Sequence, residues 1–244
     1  MTRRPADGDR IRLSTGHEVT LPLATEATMV GAVLPADAAA VASLLPDGLR
    51  PVRVTPRRAA VVLLCVEYRR IGDDAMDPYD EFAVAFPATT DRAAAPLRPL
   101  LTRAVGGYVW SLPVTSEPAR ALGDEVWGFP KTVADITHRD DATTRETTVV
   151  EDGDRVATVA IDWPRSLSHE ERSHAYAVRD GGLLRVPVSF RGQFGVAPLS
   201  ARVTVDPGEH DRADALRSLD VGSRSLLRFS LDGEVTYGAG RPVE

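Results

Sequence analysis

Several apolar stretches along the chain have the length of buried β-strands. Residues 59–68 form a continuous apolar run, and shorter runs occupy residues 28–34, 82–86 and 108–114. A strand covered on both faces reads as such a run, whereas a half-exposed strand alternates between apolar and polar residues. The pattern therefore predicts a sheet whose central strands are buried on both sides. Further strands are predicted at residues 183–190, 201–205 and 234–237.

Turn and cap residues divide these strands and mark three short helices. Pro35-Ala36-Asp37 opens an alanine-rich helix that ends near Pro46-Asp47-Gly48, and residues 211–219 form another. Between them, Ser116 is an N-cap candidate, with Pro118 in the first turn and Gly123 as the end of the helix. Asp152-Gly153-Asp154 is typical of a β-hairpin turn.

The remaining segments complete the organisation of the chain. Residues 73–80 read as a polar loop, Pro87 as the end of a strand, and residues 169–174, with two histidines five apart, as a charged loop rather than a metal site. We predict one β-dominated α+β domain with antiparallel or mixed sheets over residues 21–244, preceded by a polar arm at residues 1–20. Domains rich in β-structure commonly reach about 250 residues.

Composition excludes several classes of partner and compartment. The 244 residues carry a net charge of −6 without a basic patch, so nucleic acid is not an expected partner. The charged N-terminus is not followed by an apolar stretch and is not expected to be a signal peptide, and no segment reaches about 18 apolar residues. The single cysteine, Cys65, lies in an apolar run and requires no oxidising compartment. A cytoplasmic protein is the expectation.

The basic residues are unusual because only one of the 29 is a lysine, Lys131. Arginine can replace lysine wherever only a positive charge is needed, but guanidinium stays protonated and cannot act as an amine nucleophile. Lys131 is therefore a candidate nucleophile, although its survival by chance is an alternative. Imine formation requires a neutral amine, which burial in an apolar pocket or a nearby cation promotes.

The neighbours of Lys131 along the chain can supply such a pocket. Trp127, Phe129, Pro130 and Val133 surround it with apolar side chains. Pro130 excludes a helix interior and places Lys131 just after a rigid, extended turn. The alternative is a lysine whose stem lies on aromatic surface while its amine reaches water.

The segment that leads to this lysine resembles a known family. Gly107-Tyr108, Ser116-Glu117-Pro118-Ala119 and Gly123-Asp124-Glu125-Val126-Trp127-Gly128-Phe129-Pro130-Lys131 are similar to the acetoacetate decarboxylase segment that ends in the Schiff-base lysine. Weaker similarity covers roughly residues 25–240, including Pro78-Tyr79-Asp80-Glu81 and Gly233-Glu234-Val235-Thr236-Tyr237. The resemblance implies an apolar pocket inside a double-psi β-barrel or cone, and a homo-oligomer.

The resemblance also implies roles for individual residues. Lys131 would form the imine, and Glu81 would be the nearby carboxylate that moves protons or orients the substrate. Trp127 and Phe129 would line the substrate pocket, and Glu125 would support it. Tyr237 could reach the pocket as a proton donor. The alternatives are a solvated loop charge for Glu81, a structural hydrogen-bond acceptor for Glu125 and a core tyrosine for Tyr237.

Three positions depart from the family pattern. Thr132 stands where the decarboxylases have a second lysine, Ala27 where a substrate-linked arginine is expected, and Leu63 near the place of a second carboxylate. These departures leave the reaction open. Decarboxylation of a β-keto acid such as acetoacetate is the first hypothesis, aldol addition and dehydration on pyruvate-like keto acids the second, and ligand binding without turnover the third. Neither a metal nor an organic cofactor is needed for the imine chemistry, and no membrane association is expected.

Overall fold

The computed structural model describes residues 5–90, 106–199 and 203–243, and within these ranges β-strands dominate. Three helices are present there: α1 (Ala38–Leu44), α2 (Glu117–Trp127) and α3 (Asp211–Ser218). The strands are β1 (Arg10–Arg12), β2 (Glu18–Thr20), β3 (Leu23–Asp37), β4 (Arg50–Pro51), β5 (Arg58–Ile71), β6 (Tyr79–Thr89), β7 (Gly106–Val114), β8 (Lys131–Val133), β9 (Asp135–Asp140), β10 (Thr144–Glu151), β11 (Asp154–Asp162), β12 (Ser166–Arg179), β13 (Gly182–Pro198), β14 (Val203–Pro207), β15 (Leu227–Tyr237) and β16 (Arg241–Pro242).

The large sheet closes into a barrel. Seven strands follow one another in the order β6-β5-β3-β15-β13-β12-β7, and β7 pairs again with β6 to complete the ring. The pairing is antiparallel except that β7 runs parallel to β12 and to β8. A second sheet, in the order β14-β11-β10-β9, shares no strand pairing with this ring. The predicted β-dominated α+β fold is thus confirmed, with a closed barrel as its centre.

Two apolar cores explain why the central strands read as continuous apolar runs. The inner core fills the barrel and the space beneath α2. The outer core packs the outside of β3, β5 and β6 against the four-stranded sheet. On β5, Val61, Leu63 and Cys65 point into the outer core and are fully buried. The alternating residues Val62 and Leu64 face the barrel interior and remain half-exposed there.

Local signals in the sequence predicted several elements well. Asp37 caps α1 by accepting hydrogen bonds from the amides of Ala39 and Ala40 at 2.9 Å. The hairpin at Asp152 and Gly153 joins β10 to β11, and α3 covers residues 211–218 of the predicted helix. Residues 201–202 of one predicted strand, and residues 1–4 of the arm, lie outside the described residues.

Three local predictions were wrong because tertiary contacts outweigh them. Helix α2 does not end at Gly123 but continues to Trp127. Strand β6 does not stop at Pro87 but runs to Thr89; its ladder with β5 ends at Ala85, before the proline's missing N–H could interrupt it. Residues 169–174 are not a loop but part of β12, which pairs with β13 along its whole length.

The polar arm contains ordered structure. Strands β1 and β2 pair as a small hairpin, and Leu13 and Val19 are buried in the inner core. Ser14 reaches α2, where its amide donates to Glu125 at 3.0 Å. In the part of the chain that the structure describes, no helix is both long and apolar enough to cross a membrane.

The single cysteine offers a direct check of the fold. Cys65 is fully buried, and burial raises the pKa of its thiol to about 11. Because the thiolate is the reactive form, we expect iodoacetamide at pH 8 to leave the native protein essentially unlabelled and to label it fully in denaturant. Mass spectrometry measures both. Rapid labelling of the native protein at the rate of a free thiol would contradict the placement of β5 between the two cores.

Candidate active site

The end of helix α2 sets the position of Lys131. Gly128 adopts a left-handed conformation at φ 75°, and its amide donates to the carbonyl of Asp124 at 2.9 Å. The amide of Phe129 then donates to Gly123 at 3.1 Å, which completes a glycine-terminated helix end. Two residues later the chain enters β8, where Lys131 pairs with Leu112 of β7. Lys131 therefore stands on a strand joined to the barrel wall.

Glu81 faces Lys131 from the other side of β7. It lies on β6 opposite Val114, and its Oε2 is 2.8 Å from the Lys131 Nζ. The side chains of Lys131 and Glu81 are only 5% and 7% exposed, so water screens the pair little. Lys131 also lies over the ring of Tyr79, with 5.1 Å between Nζ and the ring centroid. The arrangement is a buried ion pair with an aromatic face beside it.

Two tyrosines extend this pair into a hydroxyl chain, and a third packs against it. The Tyr68 hydroxyl donates a long hydrogen bond of 3.5 Å to Glu81 Oε1 and lies 2.6 Å from the Tyr237 hydroxyl. The rings of Tyr68 and Tyr79 stack at 4.7 Å between centroids. Since Tyr68 donates to Glu81, its oxygen is free to accept a hydrogen bond from Tyr237. The chain thus leads from Lys131 through the carboxylate to two phenols.

The three phenols hold their protons tightly. Burial raises the pKa of Tyr68, Tyr79 and Tyr237, and the negative charge of Glu81 raises each of them further. At neutral pH these groups are consequently hydrogen-bond donors rather than phenolates. They can orient a carboxylate or a substrate oxygen, and they do not add negative charge to the site.

Aromatic residues close the space around the amine. The centroids of Trp127 and Phe129 are 5.7 Å apart, and Tyr237 packs on Trp127 at 5.5 Å. The indole Nε1 of Trp127 donates to the Gly238 carbonyl at 2.9 Å, which fixes the ring. Trp127 and Phe129 are 3% and 5% exposed, so they exclude water from one side of the Lys131 amine.

A cavity of about 320 Å³ opens from this group into the barrel. Its walls come from β3, β5, β6, β7, β12, β13 and β15 together with α2 and β8, and they are mainly apolar. Among the described residues that line it, the charged side chains are Lys131 and Glu81. A mainly apolar concave site with a few convergent polar groups is the usual form of a small-molecule site.

Most of the site residues predicted from the sequence meet at this cavity. Lys131, Glu81, Trp127, Phe129 and Tyr237 all line it. Glu125 does not belong to the described cavity wall; it lies on the side of α2 that faces the β1–β2 hairpin and accepts from Ser14. That position corresponds to the structural alternative, a hydrogen-bond acceptor.

Two residues near Lys131 in sequence, and the three residues that differ from the family pattern, do not belong to the described cavity wall. Pro130 is exposed, and Val133 is 45% exposed, so neither contributes to the pocket. Thr132 is the next residue of β8, and successive side chains of a strand point to opposite faces. Accordingly, Thr132 does not line the cavity. Ala27 and Leu63 are both fully buried, and Leu63 belongs to the outer core.

Sequence reasoning did not assign Tyr68, Tyr79 or Gly123 to the site. Tyr79 lies two residues before Glu81, a spacing that puts both side chains on one face of β6, so its position was readable from the motif. Tyr68 reaches the site only through the pairing of β5 with β6, in which it stands opposite Tyr79. Gly123 matters through its missing side chain, and no motif indicates this.

The closed barrel holds a buried lysine–glutamate pair at one end of a mainly apolar cavity. Residues 12–179 match the family model described as acetoacetate decarboxylase, so the chain belongs to the acetoacetate decarboxylase family and is an acetoacetate decarboxylase-like enzyme. In sequence, no curated protein matches the chain.

Solved structures support the same fold. The enduracididine biosynthesis enzyme MppR complexed with pyruvate is 13% identical with a TM-score of 0.67, covering 95% of both chains. Acetoacetate decarboxylase from Legionella pneumophila subsp. pneumophila str. Philadelphia 1 is 13% identical with a TM-score of 0.64, covering 91% of this chain and 87% of the other. An acetoacetate decarboxylase-like enzyme from Sphingomonas wittichii RW1 is 14% identical with a TM-score of 0.59, covering 91% and 92%.

The described part of the chain contains no cluster of metal-binding side chains. Over residues 5–90, 106–199 and 203–243, no three histidine, cysteine, aspartate or glutamate side chains come close enough to hold a metal ion. The histidine that lines the cavity, His174, is held by Arg185, whose guanidinium lies 3.2 Å from its Nδ1. Burial and that cation lower the pKa of His174 to about 4, so it is neutral at pH 7.

Proposed function

We propose that the protein is a Schiff-base-forming lyase that acts on a keto acid, with decarboxylation of a β-keto acid as its reaction. The observation that carries the proposal is the contact between Lys131 and Glu81, 2.8 Å apart and buried in an apolar cavity. Lys131 is also the chain's only lysine, in a protein that otherwise uses arginine for positive charge. A buried amine beside a proton acceptor is what nucleophilic attack on a ketone requires.

The reaction begins when Glu81, the nearest base, takes the proton from the Lys131 ammonium. The neutral nitrogen attacks the ketone carbon, and the resulting carbinolamine loses water to give a protonated imine. The C–C bond to the carboxylate then breaks, CO₂ leaves, and its electron pair moves into the imine to form an enamine. Protonation of the enamine carbon and hydrolysis by water release the ketone and restore the amine. Glu81 can return the proton at the carbon.

The hydroxyl chain supports these proton movements. Tyr68 donates to the Glu81 oxygen that does not contact Lys131, and so orients the carboxylate toward the amine. Tyr237 stands next to Tyr68 on the cavity wall, where its one phenol proton can turn from Tyr68 to a developing carbinolamine oxygen. Such positioned donors contribute most where charge develops during the reaction.

A second candidate, aldol addition followed by dehydration, uses the same lysine. One structural neighbour, 13% identical and with a TM-score of 0.64, is MppR complexed with the condensation product of pyruvate and imidazole 4-carboxaldehyde. In this chain Ala27 occupies the position where the family resemblance implies a substrate-linked arginine, and the cavity has room for a second reactant beside the amine. Here the enamine would attack an aldehyde instead of a proton.

Reductive trapping tests the proposal. We expect borohydride, added with acetoacetate or pyruvate, to attach one reduced adduct to the protein and to inactivate it. Peptide mapping by mass spectrometry should place the adduct on Lys131. Because the chain has no other lysine, the α-amino group is the competing primary amine, and mapping distinguishes the two sites.

Product analysis separates the candidates. CO₂ release from a panel of β-keto acids supports decarboxylation, whereas enal formation from pyruvate and an aldehyde supports the aldol reaction. Absence of an adduct across the panel, together with ligand-induced rises in Tm, would show a binding protein and reject the lyase. A control with the keto acid but without borohydride excludes stable non-imine modification.

A further inference from the structure

We propose that the substrate carries an extended, uncharged apolar chain, which lies along the barrel interior with the reacting carbonyl at Lys131. The inference rests on the proposed imine chemistry and narrows its substrate class. It concerns the half of the cavity that the catalytic mechanism leaves unused. That half begins beyond Glu81 and runs along β6 toward Pro87.

The register of the barrel strands makes this half a continuous apolar channel. On β6, Glu81, Ala83, Ala85 and Pro87 alternate along one face, and all of them line the cavity. On β5, the facing positions Leu64 and Val62 stand opposite Ala83 and Ala85. Pro87 lies six positions after Glu81, which at about 3.3 Å per residue is about 20 Å of strand. A molecule of the size of acetoacetate fills only the catalytic end.

Small side chains keep the channel open. Ala83 and Ala85 contribute single methyl groups, and Gly107 on β7 contributes none. Gly107 and Ala85 lie on the neighbouring strands β7 and β6, and a Cβ added to Gly107 would lie 3.8 Å from the Ala85 Cβ, an ordinary van der Waals contact, so this wall has room for a further methyl group. Larger side chains at these three positions would close the channel.

Exposure changes from one end of the cavity to the other. At the catalytic end, Tyr68, Tyr79 and Glu81 are at most 6% exposed. Toward Pro87 the apolar side chains of Val62, Ala85 and Val109 are only half-buried although they point into the barrel. Apolar surface that faces an interior without being covered is stabilised by an apolar ligand.

The charges in this half favour an uncharged ligand. On the described cavity wall the charged groups, Lys131 and Glu81, are paired with each other at the far end. His174 lies near the Gly106 end of the wall and is neutral at pH 7. A second carboxylate at the end of the substrate chain would lose its hydration without gaining a cation on the described wall, where Ser173 and His174 are neutral polar groups.

A series of 2-keto acids tests this inference. We expect the concentration for half-maximal borohydride trapping to fall from pyruvate to 2-oxodecanoate, by roughly three- to four-fold per methylene until the channel is filled. Length-matched compounds with a terminal carboxylate, such as 2-oxoadipate and 2-oxosuberate, should show no such gain. A flat series, or equal trapping of the dicarboxylates, would overturn the inference while leaving imine formation established.

Ligands without a carbonyl separate the two proposals. Linear alcohols from butanol to decanol cannot form an imine, and their binding can be followed by tryptophan fluorescence. If no keto acid is trapped but alcohol affinity still rises with length, the lyase proposal fails and the apolar channel stands. If trapping occurs and alcohol affinity does not depend on length, the channel is rejected.

Variants locate the effect in the barrel. Ala85→Leu should weaken trapping increasingly as the chain lengthens, and the milder Gly107→Ala should do the same to a smaller extent. The control Ala142→Leu makes the same change in an exposed turn and should leave the whole series unchanged. Equal losses at every chain length for Ala85→Leu would contradict a channel at that position.

Discussion

Replacing Lys131 by arginine is expected to abolish turnover and borohydride trapping while the barrel remains folded. Arginine keeps the positive charge next to Glu81, but a guanidinium does not lose its proton and cannot form the imine. We expect a loss of about 10⁴-fold or more in kcat, as for other enzymes that lose a covalent nucleophile. Steady-state CO₂ release measures the loss, and circular dichroism verifies the fold.

The buried ion pair gives this prediction a second readout. Lys131→Met removes the charge and leaves the Glu81 carboxylate uncompensated, which for a buried pair costs about 3–5 kcal/mol of folding free energy. Adding Glu81→Gln should recover most of that loss without restoring activity. The double-mutant cycle, measured by urea unfolding, therefore separates the pair's structural role from its chemical role.

Two outcomes would contradict the assignment of Lys131. Retained turnover in Lys131→Arg would remove the amine from the mechanism. Additive stability losses for Lys131→Met and Glu81→Gln would show that the two side chains do not interact as a pair. Arg120→Lys is a matched control for Lys131→Arg, because it makes the reverse exchange of the same two residue types. It lies on α2, where Arg120 pairs with Glu117 near the surface.

The sequence indicated the buried pair at the cavity better than its surroundings. Lys131 was found because it is the single lysine and ends a specific motif, and Glu81 because it belongs to a second motif. The apolar runs also predicted the buried strands, since β5 contributes residues to both cores. Such features depend on residue type and local order, which are visible in one sequence.

Closure of the barrel could not be predicted from the sequence in the same way. It depends on β7 pairing with β6 and β12, and the hydroxyl chain depends on Tyr68 and Tyr237, 169 positions apart, meeting at 2.6 Å. The end of α2 was predicted wrongly for a related reason. Gly123 looks like a helix stop, yet in the structure it lies within the helix beneath the Lys131 side chain.

Gly123→Ala is expected to reduce activity strongly while slightly favouring the helix. A Cβ at this position would lie 2.4 Å from Cε, 2.5 Å from Cδ and 3.0 Å from Cγ of Lys131, so the lysine must move. Displacement of a reacting group by about 1 Å can cost about 10²-fold in rate. By contrast, alanine in place of a helical glycine improves intrinsic helix propensity by about 1 kcal/mol. We therefore expect lower kcat and slower trapping without loss of helicity.

The control for this change is Asp124→Ala, on the exposed side of the same helix. It also introduces alanine and removes a surface ion pair with Arg120, yet it does not approach Lys131. Normal activity in Asp124→Ala together with a deficit in Gly123→Ala would show that the missing Cβ makes room for the lysine stem. If Gly123→Ala instead kept full activity, the amine could not be held in the geometry described, because its aliphatic chain would have another path to the cavity.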